Sequence, residues 1–423
     1  MKMKRMVSSL LAAVLISGLV AGCGSSTTST DSTTSVSTSA ADSSAAETPK
    51  EKAKLLLWDY LGNGDQQNLL KKLCSDYSAQ SQVASVEQKL IPFADFKKQL
   101  SVSLASKTLP DVVLIDNPDM ASYISMGLFA DVTEKLASWP DKDQYFPGPW
   151  KSCTLDAKTY GVPFGSNDLA LFYNDDMLKK AGVTPPTTWD ELRAAAKKLT
   201  SKGVYGMAVS APKNEEGTFQ FLPWLLSSGA TAEKLDTKAF SMLTDLIKDG
   251  SMSKEVINWN QGDVNTQFKA GKVAMMLNGP WQVDNIKKDN PNMKWGVVLV
   301  PKDKQYSSVL GGENWGIINS KNVDATVDFV KYAAKPDVLL TYIGKFGYFP
   351  SRKDAITDKQ FSSDAVTKVF GDELNYAQPR GPHAKWPQIS DAISTALQEC
   401  LTQNKTPEAA VKDAQAKIDA IAK

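Results

Sequence analysis

The chain has 423 residues, 48 basic and 47 acidic side chains and a formal charge of +1, and 42% of it is hydrophobic. That balance argues against a nucleic-acid binder, which needs clustered positive charge, and the single histidine, His383, excludes a histidine-rich metal site. Beyond Cys23 the cysteines are Cys74, Cys153 and Cys400, an odd number at no zinc spacing. They read as small buried hydrophobes, with one disulfide left open and no pair favoured.

The first element is a leader. Lys2, Lys4 and Arg5 precede an apolar run from Leu10 to Val20, which is too short to span a bilayer permanently. Val20-Ala21-Gly22-Cys23 resembles the bacterial lipobox, which implies cleavage after residue 22 and diacylglycerol on Cys23. Loss of Met1–Gly22 removes three positive and no negative side chains, leaving −2. Residues 24–49 are almost all Ser, Thr, Ala and Asp, with Val36 the one branched aliphatic. Such a segment cannot bury enough surface to offset its ordering entropy, so 23–53 reads as a flexible tether reaching on the order of 25–30 Å. The body from Lys54 is long enough for two lobes and has no apolar run of membrane-spanning length.

Lys54–Trp58 predicts a strand, broken by Asp59-Tyr60-Leu61-Gly62-Asn63-Gly64. Leu69, Leu70, Leu73 and Tyr77 then recur at helical spacing. A strand near Val83–Leu90, a helix over Phe93–Ser106 and a strand over Val112–Ile115 follow, the last ending at Asp116-Asn117-Pro118. Leu169–Tyr173 is a further strand. Thr188-Trp189-Asp190-Glu191 forms a capping box that accounts for Trp189 structurally. Gly203–Val209, Val273–Leu277, Trp295–Val300 and Trp315–Ile318 read as strands, Phe219–Leu226 and Thr237–Ile247 as helices, and Ser390–Ala422 is helical. Strands alternating with helices predict an α/β fold with a largely parallel sheet.

Several strands run out into loops that pair an aromatic with an amide or acid: Trp58-Asp59-Tyr60, Asp116-Asn117, Asn278-Gly279-Pro280-Trp281 and Glu313-Asn314-Trp315. Ligands of open α/β sheets bind beyond the carboxyl ends of the strands. A sugar suits this mixture, because its C–H face packs on a ring while its hydroxyls pair with carboxylates and amides. Any one tryptophan could equally fill a core. Four such loops together favour a site.

At this point the chain resembles the extracellular solute-binding proteins of ABC importers, in the branch that includes maltose-binding protein. The resemblance rests on Leu109-Pro110-Asp111-Val112-Val113, Tyr160-Gly161-Val162-Pro163, Leu171-Phe172-Tyr173-Asn174, Pro186-Thr187-Thr188-Trp189-Asp190-Glu191-Leu192, Asn278-Gly279-Pro280-Trp281 and Gly347-Tyr348-Phe349-Pro350-Ser351-Arg352, in that order. It implies two α/β lobes of the type II periplasmic-binding-protein-like kind, with the ligand in the cleft between them and closure by a hinge. Crossings are expected near Asn167–Asp168, Gly312–Glu313 and Tyr348–Ser351. They give lobe one as residues 54–167 plus 313–348 and lobe two as 168–312 plus 349–423. The resemblance makes Trp281 a sugar-stacking residue. It places Asp59, Tyr60, Asn63, Asp116, Asn117, Asn167, Asp168, Asn278, Glu313, Asn314 and Trp315 at strand exits and crossings, and it leaves Trp224, Arg380 and Trp386 as further ligand candidates. Trp58 is open between core and cleft. The expected partners are a small solute, two permease subunits with an ATPase, and the membrane through the lipid; the expected form is a monomer on the outer face of the cell membrane, with no cofactor.

Two rivals share the sequence. A hydrolase would hang on His383 or on a carboxylate pair that no local motif marks. A polyamine receptor of the same fold would draw on Asp59, Asp116, Asp168 and Glu313 around the aromatics.

Overall fold

A computed structural model describes residues 51–62, 65–381 and 383–422; the leader, Cys23, the tether and Asn63 lie outside the described residues. The chain opens with β1 (Ala53–Asp59), α1 (Gln66–Gln80), β2 (Ala84–Leu90), α2 (Phe93–Ser106) and β3 (Val112–Asp116). All of β3 is buried, as an unbroken Val-Val-Leu-Ile run requires of a strand covered on both faces. α1 turns Leu70, Leu73, Cys74 and Tyr77 inward, the stripe that the spacing predicts.

Next come β4 (Gly161–Asn167), β5 (Ala170–Asn174), α3 (Trp189–Leu199), β6 (Tyr205–Ala208), α4 (Glu215–Ser227), α5 (Lys238–Lys248) and α6 (Gln261–Lys269). The principal elements end with β7 (Val273–Asn278), β8 (Trp295–Val298), β9 (Ser308–Ile317), α7 (Val323–Ala333), α8 (Ala365–Glu373), β10 (Ala377–Pro379), α9 (Trp386–Leu401) and α10 (Pro407–Ala422). The capping box at α3 is present in full: Glu191 N donates to Thr188 Oγ1 at 3.3 Å and Thr188 N to Glu191 Oε2 at 3.3 Å.

Two sheets result. One runs β10–β9–β3–β1–β2, with β4 on the free side of β9, and the other runs β8–β5–β7–β6. Neither is as parallel as the alternation of strands and helices predicts. β1, β2 and β3 are parallel, but β9 is antiparallel to both β3 and β4, and β5 is antiparallel to both β7 and β8. A strand that enters a sheet from the neighbouring lobe comes in at the opposite end, so each crossing reverses the local direction. β9 also starts seven residues earlier than predicted, because its Gly311-Gly312 pair does not break the strand.

The three expected crossing segments are neighbours. Asn167 lies opposite Gly311 and Ser166 opposite Gly312, while Ser166 and Phe349 exchange backbone bonds of 2.8 and 2.7 Å. Gly312 has φ +128°, and a Cβ there would fall 2.0 Å from the Gly165 carbonyl oxygen, so only glycine fits. Cys74, Cys153 and Cys400 are buried and free, which closes the disulfide question. Trp58 is core: it packs with Phe96 and Ile115, under the Lys89 ammonium.

Candidate ligand cleft

Because β1 and β3 are parallel, Asp59 and Asp116 leave the first sheet at the same edge, and the register of β9 sets Glu313 opposite Asp116. Tyr60 stands beside them, its ring held edge-on by Phe93 and Phe96, and its hydroxyl donates to Glu313 Oε1 at 3.1 Å. The other Glu313 oxygen is buried, with the Tyr348 hydroxyl as its neighbour. Burial, reinforced by the Asp116 charge, pushes the Glu313 carboxyl up to about 8, so it is largely the neutral acid at pH 7. Tyr348 and Asn167 complete this corner, and burial together with Glu313 keeps the Tyr348 hydroxyl protonated.

The second lobe answers with α4. Glu215 is its first residue, after the N-cap Asn214, whose side chain accepts from the amides of Glu216 and Gly217. Arg380, just past β10, donates through Nη1 to Asp116 Oδ2 at 2.7 Å and to Glu215 Oε1 at 2.7 Å, and through Nη2 to Asp116 Oδ1. Trp386, the first residue of α9, gives its indole N–H to both oxygens of Glu215 at 3.0 and 3.1 Å. Burial works against the Glu215 charge, but Lys97 and Arg380 outweigh it and hold the carboxyl below its usual range. Beneath them Lys97 pairs with Asp119 at 2.8 Å. Burial lifts Asp119 to about 6, against the pull of Lys97.

An aromatic wall adjoins this network. The Arg380 guanidinium lies 4.5 Å from the Phe219 ring centre, and Phe219 lies 6.3 Å from the half-buried ring of Trp281. Trp281 folds back over Gly279, where a Cβ would come within 2.1 Å of the indole. That close approach explains the glycine of Asn-Gly-Pro-Trp. A cavity of about 420 Å³ opens at Trp281, lined also by Gln66, Leu69, Phe346 and Tyr348. Its size falls within the ~300–1,000 Å³ of small-molecule sites.

The structure thus brings together Tyr60, Asp116, Asn167, Glu313, Arg380 and Trp386, with Trp281 next to them through Phe219. Asn117 is half-buried one residue past Asp116. Asp59 is fully buried and engaged, accepting from Leu61 N at 3.0 Å, Gln67 Nε2 at 2.9 Å and Gln88 Nε2. Five expectations are corrected. Trp224 is wholly buried 6.3 Å from Trp189 in the second lobe's core, and Trp315 is packed between Phe164 and Phe329. Neither ring can reach a solute. Asn314 spends its amide on Ser152 at 3.0 Å, because successive residues of β9 point to opposite faces. Asn278 ties its own loop, donating to the Gln261 carbonyl at 3.1 Å and accepting from Gly279 N at 3.0 Å. Asp168 is sealed at the β4–β5 crossing, within the field of Glu373.

Glu215, Lys97, Asp119, Phe219 and Tyr348 were not among the predicted site residues. Glu215 had a usable signal: it opens a helix after the exit loop of β6, on the side of its sheet where strands exit, the feature that singled out Asp116 after β3. Lys97 gave none, lying mid-helix at a position that reads as solvated.

A model of the bacterial extracellular solute-binding proteins matches residues 72–368. The chain is similar to an ABC transporter solute-binding protein from Thermotoga lettingae, solved with α-D-tagatose, at 27% identity and TM-score 0.81 over 88% of this chain and 100% of that one. It is also similar to the maltose-bound MalE3 of T. maritima, at 25% identity and TM-score 0.78 over 87% of this chain and 100% of that one. A lactose-binding protein of Rhizobium radiobacter is 27% identical over 322 residues, 66% of this chain and 72% of that protein.

Proposed function

Because the chain belongs to the bacterial extracellular solute-binding proteins, a family of receptors and not enzymes, we propose that it captures a neutral sugar or oligosaccharide between its lobes and hands it to an ABC permease. The observation that carries this reading is the state of the four acids on which a polyamine would depend. Asp116 is neutralised by Arg380, Asp59 is occupied by three N–H donors, Asp168 is sealed at a crossing, and Glu313 is held as the neutral acid. A cation entering the cleft would find no uncommitted carboxylate among them. A hydroxyl-rich neutral solute would find what it needs: the Trp281 face, the neutral Glu313 carboxyl and the phenols of Tyr60 and Tyr348. The tagatose, maltose and lactose named for similar proteins support the same class.

The lobe limits that fit this reading are 54–167 plus 313–348 and 168–312 plus 349–423. Ligand that touches both lobes binds the closed state better, and only that difference in affinity drives closure. The Val-Ala-Gly-Cys tetrad supports a lipid anchor on Cys23, with the Ser/Thr tether keeping the receptor near its permease at raised effective concentration. Mass spectrometry of the membrane-bound protein tests the anchor: an unmodified thiol at residue 23 would remove it.

Thermal-shift screening tests the ligand class. A neutral mono- or oligosaccharide at 100 times its Kd should stabilise the protein by about 2.7 kcal/mol, while putrescine and spermidine leave it unmoved. Trp281→Ala should abolish the sugar shift at the same concentration without lowering the unliganded Tm by more than a few degrees. A shift with amines alone would sink the proposal.

A further inference from the structure

We propose that Glu215 is the second lobe's half of an interlobe ionic clasp, in which the Arg380 guanidinium joins it to Asp116 of the first lobe while Glu215 fixes the Trp386 indole. The geometry is specific. One guanidinium nitrogen, Nη1, reaches both carboxylates at 2.7 Å, and Nη2 closes a second bond to Asp116. Both oxygens of Glu215 also accept from Trp386 Nε1. The three charged side chains are 3–8% exposed. Water therefore screens their attraction little, and losing one partner would leave another charge buried and unpaired.

Asp116 ends β3 of one sheet, whereas Glu215 begins the helix that follows β6 of the other. Arg380 follows directly on the edge strand of the first sheet. It comes from the segment after β10, whose partner is the start of β9. Rotation of the lobes about the crossings would pull the two carboxylates apart, and a single guanidinium could then keep only one of them. Lysine could not replace it, since a point-charge ammonium lacks the planar fork that serves two acceptors at once. Phe219, one turn beyond Glu215, stacks on the guanidinium and limits its swing. Lys97 lies close enough to favour the charge on Glu215 and, through Asp119, keeps the floor of the network from carrying excess negative charge. Glu215 is thus a positioning residue: it sets Arg380 and Trp386, and through them the closed arrangement of the cleft. This inference rests on the two-lobed architecture and does not depend on which solute is bound.

The test measures lobe separation with no solute added. Spin labels at Lys98→Cys and Lys202→Cys, on exposed positions of the two lobes, are read by double electron–electron resonance in a Cys23→Ala background. The remaining three thiols are buried and stay unlabelled. The parent should show a short-distance population beside the open one, and that population should persist as salt is raised. Asp116→Asn and Glu215→Gln should each shift the short-to-long ratio on the order of tenfold toward long distances. Combined, they should shift it by less than the product of the two, because both act through Arg380. Arg380→Lys should restore only one side of the bridge and behave like a single carboxamide variant. Trp386→Phe, which keeps an aromatic ring of smaller size but removes the indole N–H, gives a smaller shift in the same direction should Glu215→Gln fold poorly. Unchanged distances in variants whose Tm has dropped would mean that each group merely stabilises its own lobe, and a parent with no short-distance population at all would overturn the clasp outright. Neither result bears on whether a sugar binds, which the thermal-shift screen decides separately.

Discussion

Replacing Arg352 with alanine is expected to lower the unfolding free energy by about 3–5 kcal/mol, the range for stripping one partner from a buried ion pair. The side chain is 1% exposed and uses its whole fork. Nε and Nη2 donate to the two oxygens of Asp354 at 3.0 and 2.7 Å, and Nη1 donates to Asp141 at 3.0 Å and to the Ala334 carbonyl at 2.7 Å. The Tyr145 ring lies 5.5 Å away on its face. Truncation would leave a buried carbonyl without a donor and a void against Tyr145, while the two aspartates, about one-third exposed, would regain some water. The position matters for the cleft as well. Ser351, its neighbour, accepts from Phe146 N at 3.0 Å and meets Ser166 Oγ at 3.0 Å, so the third crossing is anchored here, four residues past Tyr348. Urea unfolding should show a lower midpoint at constant slope, and Arg352→Lys should recover less than half of the loss, because an ammonium cannot bind both oxygens of Asp354 in the same way. A loss below 1 kcal/mol would mean that the crossing is held by backbone pairing alone.

Local elements were legible because they rest on short-range rules. The Val-Val-Leu-Ile run of β3, the Thr188–Glu191 box and the stripe Leu70, Leu73, Tyr77 each carry a period or a cap that the fold keeps. Strand exits were legible too, since parallel strands end where ligands bind, and Asp116, Tyr60 and Glu313 meet there. Direction and facing were not. Nothing local to Trp315 distinguishes a ring aimed at the cleft from one aimed at Phe329, because a slip of one residue reverses every side chain of a strand, and β9 carries an irregularity between Glu313 and Asn314. Trp224 lay on a helix buried all round, where no stripe marks an outer face. Glu215 and Lys97 were missed for a different reason. Glu215 takes its meaning from an arginine 165 positions away in the chain and Lys97 from an aspartate 22 positions on, and a sequence read in order cannot show which of many acids will share one base.

The protein should lose stability as pH rises from about 5 to 8, and Glu373→Gln should remove much of that loss. Glu373 ends α8, wholly buried, with Oε2 accepting from Val300 N at 3.0 Å and Oε1 unpartnered among the described residues. Burial carries its carboxyl up to about 8, only partly opposed by the Val300 amide. Asp168, at the β4–β5 crossing, has both oxygens unpartnered among the described residues, and burial followed by the Glu373 charge raises it well above the usual carboxylate range. The sign follows from linkage. In the unfolded chain a glutamate gives up its proton near 4.5, while folded Glu373 keeps it until about 8. The stabilisation is complete below about pH 4.5 and is lost as pH climbs through 8, by on the order of 3–5 kcal/mol for this group. Asp76, Asp131 and Asp249 act in the opposite sense, held low chiefly by hydrogen bonds from Lys72, Thr133 and Arg193 respectively, so stability climbs out of acid before it declines. A glutamine at 373 can still accept from Val300 N and has no proton to lose. It should match the parent near pH 5 and exceed it by several kcal/mol at pH 8, with Asp168→Asn showing the same divergence. Because Asp168 sits between a strand of one sheet and a strand of the other, charging it also loads that connection, and the loss at alkaline pH should appear first as faster amide exchange at residues 166–170. Denaturation curves for parent and Glu373→Gln that run parallel from pH 5 to 8 would mean that water reaches the pair and leaves it ionised throughout.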